Sequence, residues 1–214
     1  CAAHGYQAMA SPCRFIQAVI AAGRGDYTRA QELTDELVQW AGPRGIRVAD
    51  KWVWRVRGLA ALGQGDFEEA YQQASMIAPP GLLTRHNPNA LRVILDLVEA
   101  AVRSGHDAEA AAHVAAMQEA NLAGLSSRLA LVVSASAAMA VPDDRALALF
   151  QSALALPGIE RWQWDLARVR LAYGERLRRR RSMTDARVQL NAALEIFERL
   201  GARPWAERTT AELR

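Results

Sequence analysis

An alanine returns along the chain at Ala30, Ala70, Ala110, Ala146 and Ala186, at spacings of 40, 40, 36 and 40. The first three stand behind a turn phrase: Gly25-Asp26-Tyr27, Gly65-Asp66-Phe67 and Gly105-His106-Asp107. Apolar helical runs fill the intervals. A period of this length restricts the chain to stacked helix hairpins, because one hairpin cannot bury its apolar face alone and needs neighbours on both sides. The predicted fold is all-α, a right-handed superhelical array of about five antiparallel helix hairpins with a final capping helix.

Each unit reads as helix A, a tight turn and helix B. The A helices are predicted over 13–22, 47–62, 89–104, 125–140 and 161–181, and the B helices over 27–41, 67–78, 107–121, 143–156 and 184–200. Glycine suits the residue just past helix A, where the backbone turns left-handed at little steric cost. Asp66 with Glu69 has the form of a capping box for helix B. The alanine anchors then fall one turn into helix B, where a small side chain lets two helices approach. Gly42-Pro43, Pro79-Pro80-Gly81, Gly124, Pro157-Gly158 and Gly201 separate the units. The domain reading is therefore one helical-repeat domain over 1–214, with units at about 11–42, 46–81, 88–121, 125–157 and 160–201. A capping helix at 204–214, started by Pro204, is expected over the exposed face of the fifth unit.

Charge narrows the function classes. The 26 basic residues, of which Lys51 alone is a lysine, are diluted by 23 acidic ones to a net charge of +3. That balance is mild for a nucleic-acid binder. The run Arg178-Arg179-Arg180-Arg181 reads as a solvated helix end. Cys1 and Cys13 cannot staple a chain of this size, which points to a reducing, cytoplasmic setting and stability from packing. No apolar stretch is long enough to span a membrane, and the start lacks a secretory pattern. Opening on Cys1 instead of methionine fits a piece of a larger protein.

Aligned on its anchors, unit two (Trp54, Gly58, Gly65-Asp66-Phe67, Ala70) resembles the tetratricopeptide motif. In unit five Gly174 and Ala186 do the same, with Arg170 in place of the tryptophan. The closing stretch is more specific: Asp165-Leu166-Ala167-Arg168, Leu171-Ala172-Tyr173-Gly174-Glu175-Arg176-Leu177-Arg178-Arg179, Ala192-Ala193-Leu194-Glu195-Ile196-Phe197-Glu198-Arg199-Leu200-Gly201-Ala202 and Pro204-Trp205-Ala206. With Asp96-Leu97-Val98-Glu99-Ala100-Ala101-Val102-Arg103-Ser104-Gly105, it resembles the helical-repeat sensor region of large ATP-binding transcriptional regulators of the LuxR type, relatives of the maltotriose-responsive activator. The resemblance implies a sensor module that modulates an ATP-binding switch domain and a promoter-binding helix-turn-helix, both outside this chain. ATP is thus a cofactor implied for the parent protein alone. Lys51, between Asp50 and Trp52, has no glycine-rich turn to form a phosphate loop. DNA would be reached only through the missing C-terminal module.

Shifted by the anchor spacing, Trp52, Arg92, Arg128 and Arg168 are equivalent positions on successive A helices. Such a stripe would hold a carboxylate, a phosphate or an acidic peptide through forked guanidinium bonds beside an indole wall. On that reading, replacing Arg92 and Arg128 together weakens binding without lowering the melting temperature. The other reading is of ordinary solvated residues near helix starts. Arg55 and Trp164 complete the candidate ligand- or partner-binding set. Trp52-Val53-Trp54 and Trp162-Gln163-Trp164 each predict one core indole, the other being either exposed toward the groove as a binding residue or, the commoner use, packed between helices.

His106 and His113, two turns apart, lack further ligands for a metal and read as surface residues. Glu68-Glu69 and Asp143-Asp144 read as dipole-complementing charges at the starts of B helices. No nucleophile, base and orienting group recur at usable spacing, so no catalytic residue, resident cofactor or enzymatic activity is expected. The expected partners are a small effector or regulatory protein in the concave groove and the other domains of the parent regulator, with self-association open and no membrane contact. A tetratricopeptide-type interaction scaffold unrelated to transcription is the alternative.

Overall fold

The computed structural model describes residues 7–83 and 88–214, and the regular elements among them are all helical. They are α1 (Gln7–Arg24), α2 (Tyr27–Ala41), α3 (Val48–Gln64), α4 (Phe67–Ile77), α5 (Ala90–Ser104), α6 (Asp107–Glu119), α7 (Ser127–Met139), α8 (Asp143–Leu154), α9 (Gln163–Arg179), α10 (Met183–Leu200) and α11 (Arg203–Leu213). The all-α expectation holds, and most boundaries fall within a few residues of those predicted. The first helix is the exception, since it already runs from Gln7 and carries Pro12 inside it. Cys1 lies outside the described residues, as do the side chains of Asp143 and Asp144, so their expected roles do too.

The turn phrase folds as its chemistry requires. Gly25, Gly65 and Gly105 sit just past α1, α3 and α5 with φ of +79°, +79° and +84°. Asp26 and Asp66 then donate their backbone N–H to the carbonyls of Ala21 and Ala61, closing the helix end. Each aspartate also caps the next helix, Asp26 Oδ1 accepting from Arg29 N and Asp66 Oδ1 from Glu69 N, both at 3.1 Å. The capping box is half made: the Glu69 carboxylate accepts from Gln73 instead of reaching back. In unit five the position of the turn glycine is taken by Arg181, which still adopts φ +61°. The same closure forms there, Ser182 N donating to Leu177 O.

All five anchor alanines are buried. Gly58 and Gly174 show why. A Cβ built on Gly58 would meet Gln73 Cβ at 3.3 Å and Ala70 O at 3.7 Å, and one on Gly174 would meet Leu190 Cγ at 2.6 Å and Ala186 O at 3.4 Å. In the second and fifth hairpins a glycine on helix A thus faces the alanine region of helix B at close approach.

Successive helices pair as α1·α2, α3·α4, α5·α6, α7·α8 and α9·α10, and the odd-numbered helices also touch one another in series. That double duty shows in burial. The even helices bury one stripe, such as Ala186, Leu190, Ala193 and Phe197 of α10, whereas α5 is buried without a break from Val93 to Ala101. The last helix does more than shield unit five. It packs on α10 and also returns to α1 and α3, so the first and last hairpins meet. Trp205 is the buried anchor of that return: a Cβ on Gly63 of α3 would lie 3.2 Å from its ring, and Pro204 sits against Gly25.

Candidate functional site

The face shared by the odd helices and α11 is filled with paired charge. Asp96 and Glu99 of α5, Asp165 and Glu175 of α9, and Arg168 of α9 are all buried. Arg168 Nη1 donates to Asp96 Oδ1 and its Nη2 donates to Glu99 Oε2 at 2.7 Å. Arg208 of α11 donates to Glu99 at 3.0 Å and to Glu175 at 2.9 and 2.7 Å. Arg103 joins Glu99 and Glu175 from α5 and lies over the Phe67 ring, 5.0 Å from its centre. This lattice ties α5, α9 and α11 together.

Its electrostatics follow from the geometry. Burial alone would push the Glu99 carboxyl up, but Arg168, Arg208 and Arg103 outweigh it and hold the group well below the usual carboxylate range. Burial likewise opposes the charge on Arg168, and Asp96 and Glu99 reverse that effect, raising it above its ordinary value. Both partners therefore stay ionised where an isolated charge would not.

The predicted stripe is divided by this arrangement. Arg168 does not face a solvated groove; its fork is consumed inside the protein. Arg128 is half-buried and bidentate to Asp165, Nε at 2.7 Å and Nη2 at 3.2 Å, with Nη1 also reaching Leu91 O at 3.3 Å. Replacing it would cost stability, contrary to the expectation for the Arg92 and Arg128 pair, because the buried Asp165 would lose its partner. Arg92 is exposed, and its carbonyl accepts from Arg55 Nη1 at 2.5 Å. Trp52 stacks on Phe15 with ring centres 5.3 Å apart. Trp164 meets Trp205 and Phe197 edge-on, at 4.8 and 6.1 Å.

The indole pairs depart from the expected division. Trp52 and Trp54 are both half-buried, Trp54 against the small cluster of Ile77, Ala78, Ala90 and Val93. Trp162 is the exposed member of its pair and donates to Ser127 Oγ. The histidines depart further. His106 stands at the N-cap position of α6 without a side-chain capping bond, stacks on Tyr71 and lies 3.0 Å from Glu68 Oε2, but His113 is fully buried and neither ring nitrogen has a partner among the described residues. Burial pulls its pKa down to about 4. Of the arginine run, Arg179 to Arg181 are exposed as expected, whereas Arg178 donates to Glu212 of α11.

Two cavities adjoin the lattice. One, of about 300 Å³, is bounded by Phe67, Glu99, Arg103, Phe150, Glu175, Arg176 and Arg179; Arg103 is paired there with both carboxylates, and Arg176 donates to Met139 O. The other, of about 320 Å³, opens where the two ends of the chain meet. Val19, Ile20, Gly23 and Arg24 of α1, Arg55 and Leu59 of α3, Trp164 of α9, Leu200 of α10 and Ala202 enclose it. Its walls are mostly apolar, with Arg55 inside and the exposed Arg24 beside it. This second cavity brings together two of the sequence candidates, Arg55 and Trp164.

The acidic partners were not among the sequence candidates. Their signal was present: Asp96 and Glu99 interrupt the run from Val93 to Val102, which is otherwise wholly apolar. Among the described residues no group of three His, Cys, Asp or Glu side chains is placed to hold a metal ion, and no helix is long and apolar enough to cross a membrane. The fold and cavities define an all-helical protein of packed hairpins whose two ends meet over a ligand-sized space. No protein-family model, curated protein or solved structure matches the chain.

Proposed function

We propose that the chain is a non-catalytic sensor module, a right-handed tetratricopeptide-like superhelix closed on itself, that binds an effector for a transcriptional regulator of LuxR type. The observation that carries this reading is the meeting of α11 with α1 and α3 beside the 320 Å³ cavity. An occupant there touches helices from both ends of the array. It therefore favours one relative setting of those ends over another, which is what a sensor needs in order to bias a switch domain. A coupling of about 1–3 kcal/mol is the usual scale. Arg55 lines that cavity and stands 3.6 Å from Asp96 of the charged lattice, which continues to α11, so an occupant acts on the helices that the lattice joins. The resemblance of the closing stretch to sensor regions of that family supplies the link to transcription.

The test is the parent gene product. Its reading frame is expected to encode a phosphate-loop domain before this segment and a helix-turn-helix after it. In that full-length protein, loosening the seam with Trp205→Ala should change promoter occupancy. Absence of both flanking domains, or occupancy unaffected by the seam, would overturn the regulatory reading. The scaffold alternative rests on Ile16 and Ile20 of α1, one turn apart and 48% and 49% exposed, which suit a docked helix.

A further inference from the structure

We infer that the seam cavity binds a small amphipathic carboxylate, its anionic head against Arg55 and its apolar body along Ile20, Leu59, Trp164 and Leu200. This rests on the reading of the chain as an effector-binding module and names the effector's chemistry. The volume, about 320 Å³, stands at the small end of ligand sites, which run from about 300 to 1,000 Å³. A ten-carbon acid or an arylalkanoic acid is of that order.

Charge selects the anion. Arg168 and Arg128 spend their forks on buried carboxylates at hydrogen-bonding distance. Arg55 does not: Nη1 donates to the Arg92 carbonyl and stands 3.6 Å from Asp96 Oδ2, while Asp96 is already held by Arg168. Its other N–H groups make no hydrogen bond among the described residues. Around Arg55 the field is lopsided, with Arg92, Arg128 and Arg168 repelling and Asp96 alone attracting. Burial above all, and then those three arginines, lower its affinity for a proton, and a bound carboxylate would relieve it through a charge-assisted pair. Arg24, exposed beside the cavity, adds positive potential for an arriving anion.

Apolar surface selects the rest of the ligand. Ile20 is half exposed although it borders the cavity, and Trp164 is only partly buried. A hydrocarbon chain or ring would cover both. The neighbouring cavity suits an anion less well, because the carboxylates of Glu99 and Glu175 form part of its wall.

The experiment is calorimetric titration of the 214-residue chain with decanoate, with decan-1-ol as the uncharged analogue. Decanoate is expected to bind saturably and decan-1-ol about tenfold or more weakly, the scale of one charge-assisted contact. Arg55→Gln should lower decanoate affinity by a similar factor. Gly23→Met should abolish binding while the chain stays folded, since a Cβ at Gly23 meets nothing nearer than Trp164 at 3.8 Å and its longer side chain enters the cavity. Equal affinity for acid and alcohol, undiminished binding by folded Gly23→Met, or no saturable binding would overturn the inference. So would self-association through the Ile16 and Ile20 face that excludes decanoate. Decanoate binding that leaves promoter occupancy of the full-length protein unchanged would keep this site and sink the regulatory reading. A promoter response to another ligand, with no decanoate binding here, would do the reverse.

Discussion

Arg168 on α9 and Asp96 on α5, 72 positions apart in the chain, meet in a hydrogen-bonded ion pair with both side chains buried. Asp96 Oδ2 also faces Arg55 of α3, and the second arm of Arg168 holds Glu99. Through Glu99 and Arg208 the contact continues to α11. One chain of charges thus runs from the second hairpin to the last helix, fixing the helices whose meeting creates the seam. Such a lattice favours one register over others more than it adds stability, since each ion has lost its hydration.

Removing one member should accordingly be severe. Arg168→Met leaves Asp96 and Glu99 buried with fewer partners and is expected to lower unfolding free energy by about 3–5 kcal/mol, read by urea denaturation at neutral pH. Glu99→Gln should act in the same direction. Because the folded state holds Glu99 below its ordinary carboxylate pKa, its contribution is present above about 4.5 and is lost as pH falls beneath that value. A loss under 1 kcal/mol in both variants would show the lattice to be dispensable.

Backbone geometry yields a pair of opposite changes. Gly174→Ala places a methyl 2.6 Å from Leu190 Cγ inside the buried contact of α9 with α10, so about 1–3 kcal/mol of destabilisation is expected. Arg181→Gly relieves a left-handed residue at φ +61° that makes the same closure as the turn glycines elsewhere. It should stabilise by about 0.5–1 kcal/mol, the steric relief less the entropy of glycine. Thermal melts of the two variants moving the same way would contradict the hairpin account.

His113 sets a pH dependence. Folded, its pKa is pulled down to about 4 by burial; unfolded, it returns to the ordinary 6.5. Between those values the unfolded chain binds a proton that the folded chain refuses, so stability is full above 6.5 and declines as pH falls toward 4. The decline amounts to about 3 kcal/mol over the whole interval. His113→Leu should flatten the dependence between pH 5 and 6.5 in chemical denaturation, and an unchanged slope would assign it elsewhere.

The hairpins were legible in sequence because their determinants are local. A left-handed glycine, an aspartate cap and a buried alanine act within a few residues of one another, so Gly65, Asp66 and Ala70 announce the turn wherever the unit lies. Arg181 was placed at the end of a helix over 161–181, and it is instead the left-handed residue after α9, because an arginine gives no local sign of that conformation. His113 was misread because spacing along one helix does not say which neighbour covers it.

The candidate site was legible only in part. Arg55 and Trp164 do border the seam cavity, but repeat arithmetic made Arg128 and Arg168 their equals, and the interior carboxylates claimed both. Equivalent positions in a repeat share a backbone place without sharing an environment, because the opposing residue comes from another helix. The sequence by itself determined the helices, their turns and the pairing of each A helix with its B. Tertiary structure alone decided that α11 returns to α1 and α3 and that the odd helices face one another through charge. Those contacts join residues 33 to 179 positions apart, and no local pattern encodes which distant helices come to face one another.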